Sequence, residues 1–275
     1  MNAARHEFSG IVYFVYQPKP APAEPFLPLL MIHGHGGDHR GMEFLAQALG
    51  ITVIIPDLPG FGESKELTEK HTIERYVKSL QQLATHLEFG QYNVAGHSLG
   101  SAIALALAAE DKRVSKLVLL NPVPQFMAYI QYLLVKLNGL GNKIPPKYAD
   151  ALVKARLYNL TTFLLHSRKR ADVTYAKQYL LNQKTARYSF KTWSESGESI
   201  YGLDQMALAT SVSQSTLIVH GDKDSITTLA SIEQFVAAFK TATLLRIAHA
   251  GHFLPLEHPA DIAPQLLDFL KEDRV

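Results

Sequence analysis

The fold is decided by the stretch Gly96-His97-Ser98-Leu99-Gly100, which follows a strand pattern and opens a helical pattern over residues 98–109. A serine at such a sharp strand-to-helix turn adopts strained backbone angles, and small glycines on either side let the two segments approach closely. The turn pushes the Ser98 hydroxyl outwards and leaves the Leu99 N–H at the positive end of the helix dipole. A structural alternative is a tight turn whose serine merely caps the helix.

Short apolar runs alternate with amphipathic helical patterns on both sides of this turn. Strands are predicted over residues 10–16, 29–32, 52–55, 93–95, 116–120, 216–220 and 243–247. Helices are predicted over residues 41–49, 72–87, 98–109, 230–239 and 259–271. This alternation is typical of an α/β protein with a mostly parallel central sheet that is flanked by helices on both faces.

The segment 122–214 interrupts the alternation, because it has helical patterns and no clear strand. It carries 12 Lys+Arg against 5 Asp+Glu. We therefore predict a core formed by residues 1–121 and 215–275, with 122–214 inserted as a helical cap over the carboxyl edge of the sheet. Aromatic cap residues such as Phe126 and Trp193 are substrate-pocket candidates, although packing between the cap helices is the favoured explanation for such residues. The basic surplus suits either anionic substrates or a solvated face.

A glycine-rich turn, residues 33–37 (His-Gly-His-Gly-Gly), follows the strand at 29–32. Such a turn lets backbone N–H groups approach a ligand. The set His33, His35, Asp38 and His39 nearly matches a known zinc-binding pattern, but one extra residue displaces Asp38 and His39. We therefore predict no metal site, with His33 buried and structural and His39 beginning a helix at the surface.

Three further loops after predicted strands carry carboxylates or histidines. Asp57 lies in a loop fixed by two prolines and two glycines, and we expect it to hold that loop through hydrogen bonds. Asp222 and Asp224 follow the strand at 216–220, and either carboxylate is placed to orient a histidine. His252 follows a glycine after the last strand, and its imidazole suits a general base better than that of His249.

Together these motifs resemble the α/β-hydrolase superfamily over about residues 10–122 and 215–271, in particular its capped, serine-nucleophile, esterase-like subgroup. Aspartate-nucleophile relatives are set aside because this chain has Ser98. Relatives that place the acid after the sixth strand are set aside because that position is Asn121. Ser101 stands where many relatives have a second glycine, and serine is small enough for the helix to pack closely.

The resemblance implies a serine hydrolase whose triad appears in the chain order Ser, Asp, His. All three residues lie at predicted carboxyl ends of strands, where open α/β sheets bind their ligands. The implied roles are nucleophile for Ser98, general base for His252, orienting acid for Asp224, oxyanion-hole donors for the N–H groups of His35 and Leu99, and substrate-pocket candidates for His33, Gly34, Phe126, Trp193 and Phe253.

The expected reaction is cleavage of a small-molecule carboxylic ester or related acyl bond, without metal or organic cofactor. A carbon–carbon bond hydrolase using the same triad is an alternative, and a non-catalytic small-molecule receptor on the same fold is another. The net charge of +2 over 275 residues gives no bias towards nucleic acid. The absence of cysteine excludes disulfides and a thiol nucleophile. No signal-peptide core or membrane-spanning run is evident, so a cytoplasmic location is expected.

Overall fold

The computed structural model describes residues 3–18, 26–124, 145, 148 and 187–271. These residues contain one eight-stranded sheet. Its strands are β1 (Ala3–Phe8), β2 (Ile11–Tyr16), β3 (Leu29–Ile32), β4 (Val53–Pro56), β5 (Tyr92–His97), β6 (Val114–Leu120), β7 (Ser215–Gly221) and β8 (Ala242–Ile247). The helices described are α1 (Arg40–Leu49), α2 (Ile73–His86), α3 (Leu99–Glu110), α4 (Phe190–Gly202), α5 (Gln205–Ser211), α6 (Leu229–Ala238), α7 (Leu254–Glu257) and α8 (Pro259–Leu270).

The strand order across the sheet is β1-β2-β4-β3-β5-β6-β7-β8. The pairs β1·β2 and β2·β4 are antiparallel, whereas every pair from β4·β3 to β7·β8 is parallel. The mostly parallel α/β sheet expected from the sequence is therefore confirmed. Two elements had no prediction: the edge strand β1, whose side chains are largely exposed, and the four-residue helix α7.

Helices bury both faces of the sheet, which explains why its inner strands are mostly apolar. Successive strand residues point to opposite faces, so Leu30 and Ile32 pack with α2 and α3, whereas Leu29 and Met31 pack with α1 and α8. These four side chains have no exposed surface. The sheet is thus a rigid, fully packed platform for the loops at its carboxyl edge.

Helix α4, within the predicted cap, is bonded to the loop that precedes α2. Thr192 Oγ1 donates to Glu66 Oε1 at 3.0 Å, and the Ile73 N–H donates to Ser199 Oγ at 2.8 Å. Helices α4 and α5 agree with the helical character expected of 122–214. Most of the rest of that segment lies outside the described residues, so the boundaries of the cap stay a prediction. Within the described part of the chain, no helix has the length and apolar character needed to cross a bilayer.

Candidate active site

The turn between β5 and α3 has the strained geometry that the sequence indicated. Ser98 has φ 54° and ψ −114°, which is unusual for a residue with a side chain. A Cβ added to Gly96 would lie 2.0 Å from the Gly100 carbonyl oxygen, and one added to Gly100 would lie 2.2 Å from the Ile32 carbonyl oxygen. Both glycines are therefore required sterically. The Ser98 side chain stands at this turn and remains partly accessible.

Ser101 takes part in the same turn. Its hydroxyl donates to the Gly96 carbonyl at 2.6 Å and also contacts the Leu120 carbonyl at 3.2 Å. Serine at this position consequently fits the close packing of α3 and adds a bond between the helix and the end of β5. The departure from the second glycine of many relatives leaves the geometry of the turn intact.

His252 and Asp224 form a buried pair at the ends of the last two strands. His252 Nδ1 lies 2.8 Å from Asp224 Oδ2, and the two side chains are 4% and 0% exposed. The other carboxylate oxygen, Oδ1, accepts the N–H groups of Ile226 at 2.7 Å and Thr227 at 3.3 Å. Because an ionised carboxylate can only accept hydrogen bonds, Nδ1 of His252 is the donor in this contact.

Asp224 is held in its ionised form. Burial alone would raise its pKa, but the adjacent His252 and the backbone N–H of Ile226 favour the carboxylate more strongly, so the pKa lies below the usual value. The structure pairs Asp224 with His252, as the sequence interpretation preferred. Asp222 lies elsewhere in the loop, where its Oδ1 is buried without a hydrogen-bond partner.

His97 links the Ser98 turn to the His252 loop. Its Nε2–H donates to the His252 carbonyl oxygen at 2.7 Å, and the two ring centroids are 5.0 Å apart. Burial lowers the pKa of His97 to about 3, so the ring is neutral. Its Nδ1 lies against Gly34, where an added Cβ would approach to 2.9 Å. His97 therefore touches the glycine-rich turn, the serine turn and the histidine loop together.

The glycine-rich turn after β3 carries two histidines with different contacts. His33 is 1% exposed, its Nδ1–H donates to the Gly34 carbonyl at 2.9 Å, and its Nε2 accepts the Leu58 N–H at 3.1 Å. Both nitrogens bond inside the protein, so His33 is buried and structural, as the sequence interpretation expected, and its candidacy as a pocket residue stays a prediction. His35 Nε2 donates to the Trp193 carbonyl at 2.8 Å, which ties this turn to α4. Burial lowers the pKa of His35 to about 4.

Asp57 holds its loop as the sequence interpretation proposed. Its Oδ1 accepts the backbone N–H of His39 at 2.8 Å and contacts His39 Nδ1 at 2.9 Å, while Oδ2 accepts the Glu63 N–H at 2.8 Å. His39 is the N-cap residue of α1, so the expected helix start is confirmed, but the expected surface position is wrong. Its side chain is only 13% exposed, because it stacks on Phe14 with ring centroids 3.5 Å apart.

The structure does not bring together the four residues of the zinc-like pattern. Among the described residues, one group of possible metal ligands is found instead, with atoms of Asp38, His39 and Asp57 within 4.8 Å of one another. Protein groups already use these atoms, since Asp38 forms an ion pair with Arg40 and Asp57 binds His39. Their arrangement is that of a hydrogen-bonded loop support.

Two of the substrate-pocket candidates, Phe253 and Trp193, lie next to histidines of this site. The Phe253 ring lies 6.5 Å from that of His97 and the Trp193 ring lies 5.4 Å from that of His35, centroid to centroid. Phe126 lies outside the described residues. The sequence interpretation missed the contacts of His97 and of Asn121, whose amide bonds to the His252 loop. No local pattern indicates such long-range bonds.

The chain is similar to known proteins over most of its length. Residues 28–259 match the family described as alpha/beta hydrolase fold. The chain is 26% identical to the dihydrolipoyllysine-residue acetyltransferase component of an acetoin cleaving system from Pseudomonas putida. The match covers 89% of this chain and 64% of that protein. It is 25% identical to 2-hydroxymuconate semialdehyde hydrolase from Pseudomonas putida, covering 89% of this chain and 87% of that protein. The enol-lactonase of Burkholderia xenovorans LB400 superposes with TM-score 0.77 at 19% identity, covering 98% and 100% of the two chains.

Proposed function

Because the chain belongs to the alpha/beta hydrolase fold family, we propose that it is a serine hydrolase that cleaves a carboxylic ester or related acyl bond of a small molecule. The proposal is carried by the 2.8 Å contact between His252 Nδ1 and Asp224 Oδ2, which orients the imidazole. The strained turn at Ser98 supplies the nucleophile. An oriented base and an outward-pointing serine are what acyl transfer through a covalent intermediate requires.

The proposed reaction has two steps. His252 Nε2 takes the Ser98 hydroxyl proton as Oγ attacks the carbonyl carbon, and the same proton passes to the alcohol as the ester bond breaks. Water then attacks the acyl-enzyme, gives a proton to His252 and releases the acid, and that proton returns to Ser98. Asp224 keeps the imidazole oriented and stabilises its protonated form in each step.

The oxyanion of each tetrahedral intermediate is proposed to accept the N–H groups of Leu99 and His35. Leu99 is the first residue of α3, so its N–H lies at the positive end of the helix dipole. His35 would add a donor whose position is fixed by the bond from its ring to Trp193. Residues 122–214 are proposed to form the cap that supplies the substrate pocket, with Trp193 and Phe253 as candidate lining residues.

The proposal is tested by hydrolysis of a chain-length series of p-nitrophenyl esters. We expect turnover by the wild type, a decrease of at least about 1,000-fold in Ser98→Ala, and little change in Ser213→Ala, whose serine is exposed. Circular dichroism and thermal melting check that both variants fold. Full activity in Ser98→Ala would contradict the assignment, and the preferred chain length measures the pocket.

A second candidate is hydrolysis of a carbon–carbon bond in a vinylogous diketone. It is favoured by the similarity to 2-hydroxymuconate semialdehyde hydrolase over 89% of this chain. The same serine, histidine and aspartate would serve. Cleavage of a diketone substrate, with no turnover of any ester in the series, would select this candidate over the esterase.

A further inference from the structure

We propose that Asn121 is a positioning residue that fixes the His252 loop relative to the strand leading to Asp224. The inference rests on the proposed function, because it concerns how the base and its orienting acid are kept in register. Asn121 is the first residue after β6, and β6 lies between β5, which leads to Ser98, and β7, which leads to Asp224.

The Asn121 amide is fully buried, and its hydrogen bonds all go to the two site loops. Its Nδ2 donates to the carbonyl oxygens of Gly251 and His252, both at 2.9 Å, and its Oδ1 accepts the Gly221 N–H at 2.9 Å. Gly221 is the last residue of β7 and lies three positions before Asp224. A single side chain therefore joins the acid-bearing segment to the base-bearing segment.

The His252 carbonyl receives a second donor from the nucleophile side. His97 Nε2 donates to the same oxygen at 2.7 Å, and His97 immediately precedes Ser98. With two donors, the oxygen has both lone pairs engaged, so the peptide unit of His252 has little freedom to rotate. The imidazole of His252 is attached to this fixed unit, and its Nδ1 lies 2.8 Å from Asp224 Oδ2.

Asparagine is the side chain whose chemistry fits this place. The site needs two donors for two carbonyls and one acceptor for an N–H, and a primary amide offers both. The backbone of Asn121 has φ 43°, a left-handed conformation that asparagine adopts more readily than most residues. Aspartate would keep the acceptor for Gly221 but would place a carboxylate against two carbonyl oxygens.

A second buried asparagine provides a matched control. Asn93 is 1% exposed, and its Oδ1 accepts the Lys116 N–H at 3.1 Å. It lies near the start of β5, at the opposite edge of the sheet from the candidate site. Loss of its amide should lower stability without changing the positions of the catalytic groups.

The experiment compares Asn121→Gly, Asn121→Asp and Asn93→Ala, using p-nitrophenyl acetate at a temperature where each remains folded. Glycine tolerates the positive φ and removes all three bonds. We expect both Asn121 variants to lose about 100-fold in kcat with KM little changed, since a displacement near 1 Å has that effect. Asn121 itself is fully buried and bonds only to the protein. Asn93→Ala should keep its kcat. Wild-type kcat in Asn121→Gly, or an equal loss in Asn93→Ala, would overturn the inference.

A readout without substrate separates this inference from the proposed function. The proton shared by His252 Nδ1 and Asp224 gives a low-field proton NMR signal when the pair is in register. We expect the signal to shift or broaden in Asn121→Gly and to stay unchanged in Asn93→Ala. If the wild type hydrolysed no ester, the esterase proposal would fail, and this signal would still decide the role of Asn121. An unaltered signal in Asn121→Gly would refute it.

Discussion

Replacing Gly96 with alanine tests the steric basis of the Ser98 turn. The added Cβ would lie 2.0 Å from the Gly100 carbonyl oxygen, whereas real Cβ atoms essentially never approach other heavy atoms within 3.0 Å. The end of β5 and the first turn of α3 must therefore separate by about 1 Å. The three nearest atoms, the carbonyl oxygen and carbon of Gly100 and the nitrogen of Ser101, all belong to the backbone, so no side chain can rotate away to relieve the overlap.

The size of the effect follows from that displacement. Forcing an extra carbon into a packed site costs about 1–3 kcal/mol, and the upper end applies here because backbone must move. Ser98 lies between the two segments that separate, so its Oγ shifts relative to His252 by a similar distance. A misplacement of about 1 Å lowers kcat by about 100-fold. We expect a loss in both stability and activity from one methyl group.

The assay compares Gly96→Ala with Gly90→Ala in urea denaturation and in ester hydrolysis. Gly90 precedes the same strand at its other end, and a Cβ added there meets nothing within 4 Å. The control should therefore change the free energy of unfolding by less than about 1 kcal/mol and leave kcat unaltered. Wild-type stability and activity in Gly96→Ala would refute the steric argument.

Further predictions concern the acid and the buried histidines. Asp224→Asn should lower kcat by about 1,000- to 10,000-fold, because loss of the carboxylate favours the wrong tautomer of His252. The control Asp222→Asn should leave kcat unchanged. Equal losses of kcat in the two variants would contradict the pairing of Asp224 with His252. Burial lowers the pKa of His97 to about 3 and of His35 to about 4, from an ordinary 6.5. The unfolded chain thus binds more protons below pH 6.5, so urea denaturation should show the free energy of unfolding falling towards pH 4 by up to about 1.4 kcal/mol per unit for each histidine. His35→Gln should reduce that slope, and an unchanged slope would speak against a buried neutral His35.

The local patterns of the sequence were sufficient for the main elements of the sheet and for the turn at Ser98. Both depend on short-range features: apolar runs for strands buried on both faces, and two glycines around one serine. Strand β1 was missed because it contains no apolar run, and its side chains are largely exposed at the edge of the sheet.

The hydrogen bonds that hold the loops of the site in place were harder to predict, because they join residues far apart in the chain. Asn121 and His252 are 131 positions apart, and His97 and His252 are 155 apart. The sequence excluded Asn121 as an acid but contained no sign of its bonds to the loops. His39 was expected at the surface because nothing in its neighbourhood of the sequence indicates Phe14, on which its ring stacks.

The most direct test of the Ser98 assignment is intact-mass spectrometry after reaction with a fluorophosphonate. We predict one covalent adduct per wild-type chain, located by peptide mapping on the segment that contains Ser98, and no adduct on Ser98→Ala. An adduct that persists in Ser98→Ala, or a wild type that remains unlabelled while folded, would contradict the assignment of Ser98 as an activated nucleophile.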